Sequence, residues 1–120
     1  MSFIIYRQLD QMDCGPTCLR MIAKHYGRNF NLRTLSKLCE FSKEGISLLG
    51  LSDGAEKIGF RSLGAKINIE GLTQAELPAI LHWRQNHFVV LIKIEKNKYH
   101  IADPSTGLVI LKRTEFRNNW

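Results

Sequence analysis

The sequence predicts an α+β fold in which N-terminal helices pack on one face of a mainly antiparallel β-sheet. Residues 13–59 place apolar side chains at helical spacing between capping and stop residues. Residues 60–112 instead form short apolar or alternating runs bounded by turn residues. Because 44% of the 120 residues are apolar and no linker separates the halves, we expect a single domain over residues 1–120.

The first predicted helix begins after Asp13, which can cap its N-terminus. Pro16 falls in the first turn, where a missing N–H has no cost, and Gly27 ends the helix. We expect the apolar face of this helix to carry Cys18, Leu19, Ile22 and Tyr26.

Two further helices are predicted in the first half. Asn31 caps the second, whose inward side chains are Leu32, Leu35, Leu38 and Cys39. The third runs over residues 47–58, is broken or softened by Gly50 and Gly54, and stops at Gly59.

The second half is predicted to be strands. "FRSLGAKIN" (60–68) has the pattern of a strand and "LTQAE" (72–76) that of a short helical turn. Four more strands are predicted at 78–83, 87–95, 99–104 and 107–112. "KNK" at 96–98 is a tight hairpin connection between two of them.

Composition limits the function classes. The net charge is +6, but the basic residues are scattered, without the basic stripe and interleaved aromatics of many nucleic-acid readers, so we expect no nucleic-acid partner. The three cysteines cannot all pair internally, and no signal peptide or transmembrane stretch is visible. We therefore expect free thiols in a reducing, cytoplasmic compartment.

The segment "QMDCGPTC" (11–18) poses the functional question. Three residues separate its cysteines, whereas a thioredoxin-type site has two, and no zinc-type spacing links Cys14, Cys18, His25 and Cys39. Cys18 and Cys39 fit buried core thiols on apolar helix faces. Cys14 lies at a helix N-terminus, which favours a thiolate, so a nucleophile and a core thiol both remain open for it.

A thiolate nucleophile needs a base and a group that orients the base. His87 opens one strand and Asp103 ends the next, so the 96–98 hairpin brings them together at one end of the sheet. His25 is expected near a helix end, while His82 and His100 lie within strands. Gln8, six residues before Cys14, can donate its amide toward an oxyanion beside the sulfur.

These segments resemble a known family. "RQLDQMDCGPTCLRMIAKHYG", "PAILHWRQNHFVVL" and "YHIADPSTG" resemble the bacteriocin-processing peptidase domain, a papain-like cysteine peptidase at the N-terminus of peptidase-containing ATP-binding cassette transporters. "EFRNNW" resembles the end motif of that domain. The resemblance runs from about Gln8 to Trp120, and it implies a papain-like cysteine peptidase fold.

The resemblance also implies residue roles. Cys14 matches the nucleophile, His87 the general base, Asp103 the orienting acid and Gln8 the oxyanion donor. The implied reaction is removal of a leader peptide after a small pair, typically Gly-Gly, from a bacteriocin, lanthipeptide or signalling peptide. Trp83, beside the loop before His87, fits either a wall of the glycine slot or ordinary core packing.

The implied partners are a leader peptide bound as an amphipathic helix and the transmembrane and nucleotide-binding domains of the transporter. The resemblance implies a soluble domain on the cytoplasmic face of a bacterial membrane, either a stand-alone homologue or, as we expect, a domain excised from a larger transporter. We expect no cofactor or metal in the chain itself, since ATP would serve the parent transporter. The alternatives are a non-cleaving substrate-binding domain, or another Cys-His-Asp acyltransferase of the transglutaminase or arylamine acetyltransferase type.

Overall fold

The computed structural model describes residues 3–9, 13–39, 41–42, 45–61, 67–84 and 87–120, with the backbone alone at 41–42 and 45–46. The elements, in chain order, are α1 (Cys14–His25), α2 (Leu32–Leu38), β1 (Phe41–Ser42), β2 (Gly45–Ile46), α3 (Leu48–Lys57), α4 (Ile69–Thr73), β3 (Ala79–Trp83), β4 (His87–Glu95), β5 (Lys98–Asp103), β6 (Gly107–Lys112) and α5 (Arg113–Asn119). The predicted α+β class, helices first and strands second, is confirmed. No helix in the described ranges is both long enough and apolar enough to cross a bilayer.

The main sheet is an antiparallel meander in the order β3-β4-β5-β6. The predicted β4–β5 hairpin is confirmed, and it closes at the pair Glu95↔Lys98, so Lys98 belongs to β5 rather than to the predicted connection at 96–98. Lys96 and Asn97, the two loop residues, have φ values of 53° and 62°, as the favoured two-residue hairpin turn requires. The β5–β6 hairpin closes at Asp103↔Gly107, and Gly107 takes the left-handed conformation (φ 102°) that this tight loop needs.

Both faces of the sheet are covered. The helices α1, α2 and α3 bury one face, through a core cluster that includes Leu19, Met21, Leu35, Leu51, Phe88, Val90 and Ala102. The helices α4 and α5 cover the other face, through Ile69, Leu72, Leu81, Trp83, Val89, Leu91, Tyr99, Ile101 and Phe116. Alternate residues of β4 therefore enter different clusters, which explains why "FVVL" is apolar at every position. The prediction placed the helices on one face only, and the C-terminal helix adds the second layer.

The helix α1 differs from its prediction at both ends. The Asp13 side chain makes no capping hydrogen bond, although Asp13 occupies the N-cap position. Tyr26 is 48% exposed rather than inward, because the helix ends at His25 and Tyr26 leaves the helical periodicity at the C-cap. Met21, which is fully buried, fills the core from this helix instead. Gly27 then turns the chain with a φ of 80°.

The caps of α2 and α3 follow simple rules. Asn31 Oδ1 accepts the Thr34 N–H at 2.8 Å, and Ser47 Oγ accepts the Gly50 N–H at 3.0 Å.

Gly54 does not break α3, because it is buried and packs on α2. A Cβ atom built at Gly54 would lie 2.6 Å from the Cys39 sulfur, so this glycine allows the two helices to approach.

The segment between α3 and β3 was predicted least well. Residues 62–66 of the predicted strand at 60–68 lie outside the described residues, and the described residues on either side of them are not strand. The short helix begins earlier than the predicted turn at 72–76, since Asn68 Oδ1 caps the Gly71 N–H at 2.8 Å. The small β1–β2 ladder and the helix α5 were not predicted.

Candidate active site

Cys14 is the first residue of α1 and only 5% exposed. The next three residues, Gly15, Pro16 and Thr17, are also buried, so the start of the helix is packed into the protein. A helix N-terminus presents unpaired N–H groups and the positive end of the helix dipole, both of which favour an anion. The sequence thus places the Cys14 thiol at a helix N-terminus, next to backbone N–H groups that lack partners within the helix.

His87 and Asp103 meet at the end of the sheet, as predicted from the hairpin. Asp103 Oδ1 lies 2.7 Å from His87 Nε2, and their side chains are 15% and 22% exposed. The Cys14 side chain also acts on the His87 ring as a hydrogen-bond and charge partner, so the thiol lies beside the imidazole. Because His87 Nε2 bonds to Asp103, Nδ1 is the ring nitrogen that remains available to the Cys14 sulfur. The three residues form a continuous Cys14–His87–Asp103 relay.

The electrostatics of this relay favour a charged imidazole. The hydrogen bond that the His87 ring donates to Asp103, followed by its interaction with Cys14, raises the pKa of His87 to about 9, against the opposing effect of burial. Burial alone would raise the pKa of Asp103, but hydrogen bonds from His87 and Ser105 outweigh it and lower that pKa to about 2. At neutral pH the pair is therefore an imidazolium and a carboxylate. An imidazolium beside a thiol is the arrangement that activates a cysteine nucleophile.

The other two cysteines are core thiols, as predicted. Cys18 is fully buried, and its burial raises the pKa of the thiol well above its ordinary value. Burial likewise raises the pKa of Cys39 to about 11. Neither thiol ionises readily near neutral pH, and all three cysteines are reduced. Among the residues that the structure describes, no group of three or more His, Cys, Asp and Glu side chains is arranged to hold a metal ion.

The remaining histidines have other surroundings. His25 is exposed and contacts the rings of Phe3 and Tyr26. His82 is exposed on β3, with its ring 5.3 Å from that of Phe88. His100 pairs with Ile110 across the β5–β6 ladder. His87, the histidine predicted from the hairpin, is therefore the one whose ring bonds to a carboxylate.

Gln8 lies beside the turn that carries Asp103. Its backbone N–H donates to the Pro104 carbonyl at 2.8 Å, and the residue is half-buried. The N-terminal segment is thereby tied to the end of β5. The role of the Gln8 side chain as an oxyanion donor stays a prediction.

Trp83 is a core residue. It is 5% exposed and belongs to the cluster beneath α5, with its ring 5.4 Å from that of Phe116. Of the two interpretations left open by the sequence, the structure favours core packing.

Sequence reasoning missed Ser105. Its backbone N–H and its hydroxyl both donate to Asp103 Oδ1, at 2.9 and 2.7 Å. A serine two residues after an aspartate at a strand end is typical of an Asx turn, and this signal was available in "ADPST".

Comparison with known proteins decides the family. The family model described as the peptidase C39 family matches residues 2–120. The chain belongs to the peptidase C39 family. This confirms the resemblance on which the sequence prediction rested, and C39 membership together with the structural matches below makes the chain a cysteine peptidase, as predicted.

Among curated C39 relatives is the colicin V secretion/processing ATP-binding protein CvaB of Escherichia coli, 33% identical over 111 residues. The match covers 92% of this chain and 16% of CvaB, so the chain spans about a sixth of the length of that relative. The lactococcin-G-processing and transport protein LagD of Lactococcus lactis subsp. lactis is 34% identical over 126 residues, covering 100% of this chain and 18% of LagD.

A solved structure is close to this fold. A double glycine motif protease from an AMS/PCAT transporter, in complex with the leader peptide, superimposes with a TM-score of 0.93 at 28% identity. That match covers 99% of this chain and 86% of the other. The roles of Cys14, His87, Asp103 and Gln8 in this chain remain predictions that rest on its own geometry.

Proposed function

We propose that this chain removes the leader from a secreted peptide precursor by cutting after a double-glycine-type pair. The observation that carries the proposal is the relay at the start of α1, in which the Cys14 thiol lies beside the His87 imidazole and that ring bonds to Asp103 at 2.7 Å. The names of its relatives support the substrate class, since they include a colicin V secretion/processing protein and a double glycine motif protease bound to a leader peptide.

The proposed reaction begins with the Cys14 thiolate, which the His87 imidazolium accompanies. The sulfur attacks the carbonyl carbon of the second glycine, and the carbonyl electrons move onto oxygen. The backbone N–H of Cys14 at the helix N-terminus and the side-chain amide of Gln8 donate to that oxyanion. Asp103 holds the ring of His87 in the orientation that the proton transfer requires.

The tetrahedral intermediate then collapses. His87 gives its proton to the leaving amine, so the C–N bond breaks, the mature peptide departs and the leader stays bound as a thioester on Cys14. His87 next takes a proton from water, whose oxygen attacks the thioester carbonyl. The C–S bond then breaks, the leader leaves as a carboxylic acid, and the Cys14 thiolate and His87 imidazolium are restored.

The proposed partners follow from the relatives. The matched curated proteins are processing and transport ATP-binding proteins of which this chain covers 16–18%. We propose that the chain acts with the transmembrane and nucleotide-binding domains of such a transporter, at the cytoplasmic face of a bacterial membrane. The leader would bind as an amphipathic helix, presenting apolar residues at helical spacing to the domain.

The deciding experiment uses a synthetic leader–cargo peptide with Gly-Gly at the junction and mass spectrometry of the products. The wild-type chain should yield free leader ending in Gly-Gly. Cys14→Ala should abolish cleavage but retain binding, measured by fluorescence anisotropy of a labelled leader. His82→Ala, which alters an exposed histidine outside the relay, is the matched control for His87→Ala and should keep cleavage.

Three results would contradict the proposal. Cleavage by Cys14→Ala would remove Cys14 from the mechanism. Binding of the leader without cleavage by the wild-type chain would favour the non-cleaving substrate-binding domain, and transfer of the acyl group to an added amine in place of hydrolysis would favour an acyltransferase.

A further inference from the structure

The carboxylate of Asp103 is held by more than its histidine. Its Oδ1 atom accepts three hydrogen bonds, from His87 Nε2 at 2.7 Å, the Ser105 N–H at 2.9 Å and the Ser105 hydroxyl at 2.7 Å. The two bonds from Ser105 bind the same oxygen that faces the imidazole. They therefore fix which carboxylate oxygen meets His87, and in what direction.

The loop that carries Ser105 is short and well defined. It spans residues 104–106 between Asp103 at the end of β5 and Gly107 at the start of β6. The Thr106 N–H donates to the Asp103 carbonyl at 3.1 Å, which closes the turn. Ser105 is exposed, so its side chain has no role in the core, and the alternative partner of its hydroxyl is water.

The N-terminal segment braces this loop from outside. Arg7 Nη2 donates to the Ser105 carbonyl at 2.9 Å, and the neighbouring Gln8 N–H donates to the Pro104 carbonyl at 2.8 Å. The segment is itself anchored, because Tyr6 packs on the helical core cluster and the guanidinium of Arg20 lies 3.9 Å from the centre of its ring. Two consecutive carbonyls of the loop are thus bonded to two consecutive residues of the N-terminal segment.

We propose that Ser105 is a positioning residue for the peptidase reaction, which orients Asp103 toward His87, and that Arg7 braces Ser105 from the N-terminal segment. This inference rests on the proposed function, in which Asp103 orients the base. The same hydrogen bonds hold Gln8, the proposed oxyanion donor, against the loop that follows Asp103. They therefore fix the distance between the N-terminal segment and the end of β5. Neither Ser105 nor Arg7 touches the substrate in this proposal.

The test is a double-mutant cycle that needs no leader peptide. The rate constant for alkylation of Cys14 by limiting iodoacetamide is measured at pH 6 by mass spectrometry of the labelled peptide. Ser105→Ala is compared with the wild type and, separately, within an Asp103→Ala background. Ser105→Thr retains the hydroxyl, and Thr106→Ala removes the neighbouring exposed hydroxyl of the same turn as a matched control.

If Ser105 acts through Asp103, Ser105→Ala should slow alkylation about five-fold in the wild-type background and have no effect beside Asp103→Ala. Ser105→Thr should restore most of the rate and Thr106→Ala should leave it unchanged. Arg7→Ala should slow alkylation by a smaller factor, about two-fold, because its bond reaches Asp103 only through the loop backbone. Thermal melts confirm that each variant is folded.

The outcomes separate the two proposals. An unchanged rate in Ser105→Ala, or an equal slowing in both backgrounds, overturns the role of Ser105. An unchanged rate in Asp103→Ala alone overturns the role of Asp103 in the proposed function. An unchanged rate in Arg7→Ala, with Ser105→Ala slowed as expected, overturns the brace.

Discussion

The His87–Asp103 pair makes the stability of the fold depend on pH in a defined window. The pKa of His87 is raised from its ordinary 6.5 to about 9 by its hydrogen bonds to Asp103 and Cys14. A group whose folded-state pKa is raised stabilises the protein fully below its unfolded pKa, and this contribution is lost as the pH rises through the folded value. The contribution of His87 should therefore be complete below about pH 6.5 and disappear above about pH 9.

The magnitude follows from the size of the change in pKa. One pKa unit corresponds to about 1.36 kcal/mol, so the full change sets a ceiling of about 3.4 kcal/mol. The side chain of His87 is 22% exposed, and solvent screens part of the interaction. We therefore expect about 1–2 kcal/mol of pH-dependent stability from this residue.

The assay compares two proteins so that other titrating groups largely cancel. Urea unfolding of the wild type and of His87→Gln is followed by circular dichroism at intervals from pH 6 to pH 10. The difference in the free energy of unfolding should be greatest near pH 6 and should fall by about 1–2 kcal/mol by pH 10. A difference that stays constant over this range, or that grows with pH, would refute the reasoning.

Three other substitutions test the packing around the site. Gly54→Ala should lower the free energy of unfolding by about 1–3 kcal/mol, because its Cβ would meet the Cys39 sulfur, and adding Cys39→Ala should recover part of the loss in urea titrations. Cys18→Ser should keep most peptide cleavage but lose about 1–3 kcal/mol of stability to a buried hydroxyl, and a well-folded inactive protein would instead favour a dithiol mechanism. Trp83→Phe should lower the melting temperature and retain cleavage, whereas lost cleavage at unchanged stability would return Trp83 to the substrate slot.

Local rules predicted most of the fold, and non-local packing accounts for the errors. The strands from 79 onward and the hairpin predicted at 96–98, which the structure narrows to 96–97, were visible because alternation and turn residues are local signals. Tyr26 was placed inward because the periodicity was extended one residue too far, past the point where α1 ends. Gly54 was predicted to weaken α3, because the contact that requires a glycine there comes from the Cys39 sulfur at the end of α2, which is distant in sequence. No local pattern contains that contact.

In the site, too, some contacts follow from local sequence signals and others depend on non-local packing. The His87–Asp103 contact was predictable because a hairpin links the two strands, so their proximity is a consequence of a short connection. The approach of Cys14 to His87 depends on how α1 packs on β4, and the residues alone left Cys14 open between a nucleophile and a core thiol. Only the family resemblance assigned it a role before the structure placed its thiol beside the imidazole.

The residues of the site lie on two different layers of the fold, and contacts between these layers hold them in place. Its nucleophile lies on the helical layer, and its base and acid lie at the end of the sheet, so any sliding of one layer over the other would change the Cys14–His87 contact. The packing of α1 on Phe88 and Val90 resists such sliding on the core side. These two residues of β4 follow His87 by one and three positions. On the open side, the Gln8 and Arg7 bonds to the loop of residues 104–106 join the segment before Cys14 to the strand that carries Asp103. The relay is thus held from two sides, by apolar packing below it and by hydrogen bonds to a backbone loop beside it.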